Sequence, residues 1–405
     1  MPRSRLIPLP ATPRDPSCSL PGGAGVHAGR PVIREVELGG PRVTTVDLFA
    51  GAGGISLGFS RAGFTPVFAV EWDADAARTY EANFGAHCHA GAIEGVSTFP
   101  MADVIVGGPP CQGFSPLGRD RDDDSRHQLN TLWMQYLRAV RQVRPKIFVV
   151  ENVPEFLKSG QFQTFLETMA TDPFLRDYHV EYRVLNAAEY GVPQRRRRGI
   201  VIASRIGPVT WPEKTHGPDS PDGRPFVSVR EAIGDLPLEP TGRDLHWGRN
   251  PTPMSIERYH AVPEGGNRFD LAANRPDLLP ACWARKPTGT TDVFGRLWWD
   301  RPSFTIRTEF YKPEKGRYLH PQAHRPITHR EAARLQTFPD DFVFTGSRIQ
   351  VARQIGNAVP PRLGEAIARA VMARLADPQP NPLTEELRPI QQRLFHEADL
   401  ERIGA

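Results

Sequence analysis

The stretch VTTVDLFAGAGGISLGFSRAG, residues 43–63, decides the fold of this 405-residue chain. VTTVDLF (43–49) is a short β-branched, apolar run and reads as a buried strand. It runs into a glycine turn, AGAGG (50–54), and then into ISLGFSRAG, where Ile55, Leu57 and Phe59 are apolar and Gly63 is a stop. Strand, glycine turn and helix open a βαβ unit, and the pattern continues downstream. TPVFAVEW (65–72) reads as a second strand ending in an acidic residue. DADAARTYEANFG (73–85) reads as a helix with Asp73 as its N-cap and Gly85 beyond its end. ADVIVGG (102–108) is a third strand that runs into PPCQGFSP. LNTLWMQYLRAVRQV (129–143) has helical spacing at Leu132, Tyr136, Val140 and Val143. KIFVVENV (146–153) is a fourth strand, again ending in an acidic residue. YHVEYRVLNAAEYGVPQ (178–194) starts as a strand and ends in a turn, and GIVIAS (199–204) is another buried strand. This alternation predicts an α/β chain with right-handed βαβ units and a doubly wound, mostly parallel sheet. In such sheets ligands sit beyond the carboxyl ends of the strands. Gly51 to Gly54, Glu71, Cys111 and Glu151 all fall at those ends, so one pocket can collect them.

Around this core the chain is rich in loops. It has 41 Pro, about twice the usual share. Residues 1–42 hold eight prolines and read as a flexible tail. Residues 43–204 form the first domain. From 205 to 322 the periodicity is lost, and this reads as a second, irregular domain. The helical pattern returns at 326–339, with Thr328 as N-cap and Glu331 three residues later. QIGNAVPPRLGEAIARAVMARL (354–375) reads as a loop that becomes a helix, so 323–376 returns to the first domain. Residues 377–405, beginning DPQPNP, look peripheral. No run of about 18 apolar residues exists, which excludes a membrane span, and the first residues lack the apolar stretch of a secretory signal. Four scattered cysteines without a CxxC pair argue against a disulfide framework and a structural zinc site. A cytoplasmic protein is expected. The net charge is only +4, but of 50 Lys and Arg only six are Lys, which leaves 44 Arg. Arginine's planar fork suits phosphates and guanine edges; a GC-rich genome produces the same bias.

Each candidate group has a bland reading beside the functional one. A glycine-rich first turn lets a cofactor approach the backbone, and Glu71 lies 20 positions beyond Gly51, where a carboxylate can bind ribose hydroxyls. Glu71 can equally be a helix-start acid, and Trp72 can cover an adenine face or belong to the core. Cys111 is a small hydrophobe or, in its polar loop after Pro109 and Pro110, a nucleophile. Glu151 caps a helix or, partly buried, acts as an acid with a raised pKa. In QRRRR (194–198) alternate residues of a strand point the same way, which puts Arg196 and Arg198 on one side.

DLFAGAGG, VEWD, GGPPCQGFS, ENV, GVPQRRRR, REAARLQTFP and QIGNAVPP occur in this order between about residues 43 and 375. Together they resemble the DNA (cytosine-5) methyltransferases of bacterial restriction–modification systems. The resemblance implies the class I S-adenosylmethionine-dependent methyltransferase fold, a target-recognition domain at 205–322, and duplex DNA as substrate. It implies no metal, a monomer, and a functional pairing with a restriction endonuclease of the same specificity. Phe49, Gly51, Gly53, Glu71, Trp72, Ile93, Pro109 and Asn357 would line the S-adenosylmethionine site. Cys111 would be the nucleophile, Glu151 would hydrogen-bond the cytosine ring, and Arg196 and Arg198 match the two arginines of a Gln-x-Arg-x-Arg pattern. Gln112, Ser115, Arg285, Arg296 and Arg307 would contact DNA, which would present a flipped base. One departure stands out: where the family often has Gly-Asp-Ile, this chain has Gly91-Ala92-Ile93, so a carboxylate contact to the adenine amino group is missing. An RNA cytosine-5 methyltransferase shares the catalytic motifs, but its loop after Cys-Gln differs from Gly113-Phe114-Ser115 and its recognition region is shorter. A non-catalytic DNA-binding homologue is the other alternative, and the intact set of Cys111, Glu151 and Arg198 speaks against it.

Overall fold

The computed structural model describes residues 42–110, 132–285, 288 and 291–379. The first run forms β1 (Thr44–Leu48), α1 (Gly54–Arg61), β2 (Thr65–Glu71), α2 (Ala74–Phe84), β3 (Cys88–Ala90) and β4 (Val104–Gly107). The second opens with α3 (Leu132–Val143), β5 (Ile147–Asn152), α4 (Gly160–Thr171), β6 (His179–Asn186) and β7 (Arg197–Ser204). These strands build a seven-stranded sheet in the order β3-β2-β1-β4-β5-β7-β6. Strands β1 to β5 pair in parallel, and β7 runs antiparallel to both β5 and β6. The strand order reverses beside β1, between β2 and β4. That is the switch point at which a ligand crevice opens in a doubly wound sheet.

The central strands are buried on both faces, so side chains alternate between two cores. Ile105, Phe148 and Val150 pack with Tyr136 and Val140 of α3 and with Phe162 and Phe165 of α4. Val104, Val106, Ile147 and Val149 pack on the other side with Ile55 and Phe59 of α1. Two elements were not anticipated from periodicity. β3 is only three residues long, below the length at which a pattern shows. α4 has its polar and apolar residues less cleanly separated than α3; it starts at Ser159, whose Oγ accepts from Phe162 N.

Residues 205–322 hold α5 (Val229–Ile233), α6 (Pro253–His260), α7 (Arg268–Asn274), α8 (Ala281–Ala284) and a two-stranded pair, β8 (Gly295–Arg296) and β9 (Arg317–Leu319). The chain then returns through α9 (His329–Leu335), α10 (Arg348–Asn357) and α11 (Pro361–Ala376). The expected capping box is present: Thr328 Oγ1 accepts from Glu331 N, and the Glu331 carboxylate accepts from Thr328 N. One reading is corrected. QIGN (354–357) is the last turn of α10 and not a loop, because Gln354 and Ile355 are buried and hold the helical register to Asn357.

α11 lies back across α1. A Cβ on Gly58 would sit 2.5 Å from Glu365 N, so the two helices touch through bare backbone there. The chain before α11 also presses on the glycine turn, where a Cβ on Gly54 would come 2.3 Å from the Val359 carbonyl oxygen. No helix among the described residues is long and apolar enough to cross a membrane.

Candidate functional site

The turn after β1 is built on left-handed backbone. Phe49 has φ 60°, Gly51 φ 56° and Gly53 φ 88°. A side chain at Gly53 would drive its Cβ to 2.3 Å from the ring of Phe84. At Gly51 the space beside the backbone is open, with no atom of the described residues within 4 Å of where a Cβ would be. That leaves half-buried peptide backbone with an open side at the turn.

Beneath the turn, Glu71 ends β2 and is 6% exposed. Its Oε2 accepts from Gly51 N at 2.8 Å and its Oε1 from Asp73 N at 2.9 Å. Burial raises its pKa, and the two amide hydrogen bonds oppose that rise. Asp73 in turn caps α2 through Asp75 N and Ala76 N. One carboxylate therefore pins turn, strand end and helix start. Trp72, the residue after Glu71, is 74% exposed, so it is not a core residue. Ile93 is buried in a single turn, Ile93–Gly95, that follows Ala92.

The next two strand ends meet at a second point. Asn152 donates from Nδ2 to the Pro109 carbonyl at 3.1 Å, so the end of β5 anchors the turn after β4. Glu151 lies beside that turn: a Cβ on Gly108 would be 3.0 Å from its Oε2. Its Oε1 pairs with Arg198 Nε at 2.7 Å. The antiparallel register of β5 and β7, with Glu151 opposite Ile200, brings the start of β7 to this carboxylate. Arg198 Nη1 is turned to the Arg197 carbonyl at 2.7 Å. Glu151 is thus not an isolated buried acid but half of a charge-assisted pair. Cys111, Gln112 and Ser115 lie outside the described residues; the chain is described up to Pro110, immediately before Cys111.

Two arginine expectations are corrected. Arg196 does not share the fate of Arg198. It precedes β7, is 1% exposed, and donates from Nη1 to the Ile306 carbonyl and from Nη2 to the Gly356 carbonyl. Arg296 is 2% exposed, and its Nε, Nη1 and Nη2 donate to the carbonyls of Val262, His320, Ala323 and Tyr259. Burial pulls its pKa down to about 10. Its fork is filled by backbone, so it cannot also read a base. Arg285 and Arg307 are exposed, and so is Asn357 at the end of α10. Trp299 is core, while Trp298 is flanked by the guanidinium groups of Arg317 at 4.3 Å and Arg301 at 5.1 Å.

Asp47 was not singled out from the sequence. It sits in the middle of β1, fully buried, with Oδ2 accepting from Ser56 Oγ at 2.7 Å and Ser56 3.1 Å from the Tyr80 hydroxyl. Its Oδ1 has no partner among the described residues, and burial pushes its pKa to about 7. The signal was an acid inside an otherwise apolar strand, Val46-Asp47-Leu48.

The chain is similar to known proteins. Residues 43–373 match the family model described as C-5 cytosine-specific DNA methylase. The chain is 37% identical over 350 residues to the Type II methyltransferase M1.HphI of Haemophilus parahaemolyticus, covering 82% of this chain and 87% of that protein. It is 33% identical to M.NgoFVII of Neisseria gonorrhoeae, covering 87% and 92%. Among solved structures, a putative DNA modification methyltransferase encoded within an E. coli prophage superposes with a TM-score of 0.61 at 26% identity, over 83% of this chain and all of that one.

Proposed function

The chain belongs to the C-5 cytosine-specific DNA methylase family, and from that premise we propose that it methylates C5 of a flipped cytosine in a specific duplex sequence, with Cys111 as nucleophile. That it is a DNA cytosine-5 methyltransferase follows from the family and from relatives named as Type II methyltransferases. The finer reading rests on one observation above others: the Glu151–Arg198 pair, 2.7 Å apart, stands at the strand ends beside the turn that leads to Cys111.

S-adenosylmethionine fits the crevice at β1 and β2. The open backbone beside Gly51, the Glu71 carboxylate and the exposed Trp72 face suit an adenosine with a charged tail. When bound, it supplies an electrophilic methyl group within reach of the target ring. Phe49, Gly51 and Gly53 would hold the tail, Glu71 the ribose hydroxyls, and Trp72 and Ile93 the adenine, with Pro109 and Asn357 closing the site.

The chain's own groups activate the base. Cytosine C5 is a poor carbon nucleophile. The Cys111 thiolate adds to C6, forming a C–S bond and shifting electron density to C5. Glu151, as a hydrogen-bond partner at N3 and the 4-amino group, and Arg198 at O2 stabilise the charge that develops on the ring. After C5 is alkylated, loss of the C5 proton and expulsion of the Cys111 thiolate restore the aromatic ring. Covalent addition replaces one difficult step with easier ones. The target ring must leave the stack to reach Cys111, which is why flipping belongs to the proposal. Arg285 and Arg307, both exposed, are proposed to contact DNA. Residues 205–322 are proposed to set the target sequence, and a restriction endonuclease of the same specificity is the proposed functional partner.

Cys111→Ala should abolish methyl transfer while DNA binding survives; turnover retained by that variant would defeat the mechanism. Trapping of a covalent adduct on 5-fluorocytosine DNA gives the positive counterpart. Bisulfite sequencing of DNA from a host expressing the protein reads out the site.

A further inference from the structure

The segment that brings Arg198 to the site also runs through a buried seam. Arg196 lies in that seam with its two terminal nitrogens on two distant carbonyls, Ile306 at 3.2 Å and Gly356 at 3.1 Å. The residues that follow those carbonyls are Arg307 and Asn357, and both are exposed. The two stretches touch directly: a Cβ on Gly356 would lie 2.4 Å from Thr308 N and 2.5 Å from the carbonyl carbon of Arg307. Gln194, two residues before Arg196, closes the same seam. Its Oε1 accepts from Ile306 N at 2.8 Å, and its Nε2 donates to Gln336 Oε1 at 2.8 Å. Gln336 in turn donates to the Ile355 carbonyl at 2.6 Å.

A guanidinium is expensive to take out of water, and apolar packing alone would be served as well by Met or Leu. What Met or Leu cannot do is hold two backbone carbonyls at once in a planar fork. We propose that Arg196 is a positioning residue: with both hydrogen bonds made it locks the cofactor-side Asn357 and the DNA-side Arg307 into their binding arrangement together, so that a ligand favouring the locked state at either site strengthens binding at the other. The proposal rests on the functional reading above, in which the turn near Asn357 takes S-adenosylmethionine and Arg307 meets DNA. Arg196 itself touches neither ligand. Two sites coupled in this way must show reciprocal linkage, each ligand changing the affinity of the other by the same factor.

The test uses the full chain, S-adenosylhomocysteine as an unreactive probe of the cofactor site, and a fluorescent duplex carrying the site identified by bisulfite sequencing. Dissociation constants for each probe are measured alone and with the other at saturation, by calorimetry and anisotropy at one salt concentration. For the wild type the linkage factor is expected at roughly fivefold or more. In Arg196→Lys, which keeps the charge but can reach only one carbonyl, the factor should fall to about one. Affinity for each probe alone should move less than about twofold, because Arg196 touches neither. Gly356→Ala should also lower the factor, because its methyl pushes residues 307–308 away, and here duplex affinity alone should fall as well since Arg307 moves; it decides the matter if Arg196→Lys shows no cooperative melt. A wild type without linkage, or variants that keep the full factor, overturns the proposal. A side-by-side assay of wild-type methyl transfer to duplex DNA separates the two failures: no transfer defeats the functional reading, whereas transfer without linkage defeats only the role of Arg196.

Discussion

Two carboxyl groups 24 residues apart in the chain, Asp47 and Glu71, lie under the glycine turn, and burial raises the pKa of each. For Asp47 the rise is to about 7, from 3.8. A carboxyl that keeps its proton longer in the folded state stabilises that state below the unfolded pKa. That contribution is then lost as pH climbs through the folded value. Stability should therefore decline between about pH 4 and pH 7 through this one group. Asp47→Asn should remove that part of the slope in a series of thermal melts from pH 5 to 8, whatever it does to the absolute melting temperature; an unchanged slope contradicts the assignment. Ala92 supports a second prediction at this scale. Restoring a carboxylate with Ala92→Asp should tighten S-adenosylhomocysteine binding by roughly fivefold, the worth of about one hydrogen bond, and an unchanged dissociation constant argues against an adenine contact there. Single residues were legible in the sequence when their chemistry was local. Asp73 and Thr328 announce their caps within three positions. The burial of Arg196 and Arg296 was not legible, because their partners lie between 24 and 160 positions away and a carbonyl leaves no mark on a sequence.

Among the elements, the central strands β4, β5 and β7 were readable because both faces of the sheet are buried there, which makes each a nearly continuous apolar run. The contact of α1 with α11 was not, since it depends on what a glycine lacks. Gly58 and Gly364 face one another in that contact, but they differ. A Cβ on Gly58 would lie 2.5–2.6 Å from the backbone of α11, whereas one on Gly364 would find its nearest atoms at 3.5 Å. Gly58→Ala should separate the helices and cost about 1–3 kcal/mol, as overpacking does. Gly364→Ala should be neutral or stabilising by up to about 1 kcal/mol, the helix propensity of Ala over Gly. Urea denaturation of the two variants checks the contrast, and equal effects would be evidence against the close approach. The buried Glu331 is the polar counterpart. It caps α9, pairs with Arg325 through both oxygens, and has its pKa held far below the usual range by that hydrogen-bonded environment against the pull of burial. Glu331→Gln should cost about 3–5 kcal/mol at pH 7, because it leaves a buried guanidinium unpaired.

At the scale of the whole molecule, the stretch 205–322 is not a separate bead. It has a small core of its own around Tyr259, Leu271 and Phe294. Its Val229, Leu297 and Trp299, however, pack in one cluster with Leu335 and Ile355 of the returning chain. Calorimetry should therefore show residues 43–376 unfolding in a single endotherm, and two resolved transitions would contradict the shared core. The sequence of 205–322 lacks a sustained period, and no pattern in it could reveal that its apolar residues complete another element's core.

One crossing stands out within residues 205–322. Val229 N donates to the Arg301 carbonyl at 2.9 Å, and Arg230 N to the Trp299 carbonyl at 2.9 Å. Residues 229 and 301 thus form a doorway, and the stretch between them is also moored to the returning chain, where Arg330 N donates to the Leu245 carbonyl at 3.0 Å and Arg325 Nε to the Leu238 carbonyl at 2.9 Å. A segment held in this way can be exchanged only together with its moorings. A chimera cut at 229 and 301 would leave in place Gln194, Arg196 and Ser303, whose N donates to the Pro193 carbonyl. The graft would have to bring apolar side chains where Leu245, Leu297 and Trp299 stand, a strand to pair with β9, and carbonyls for Arg325 and Arg330.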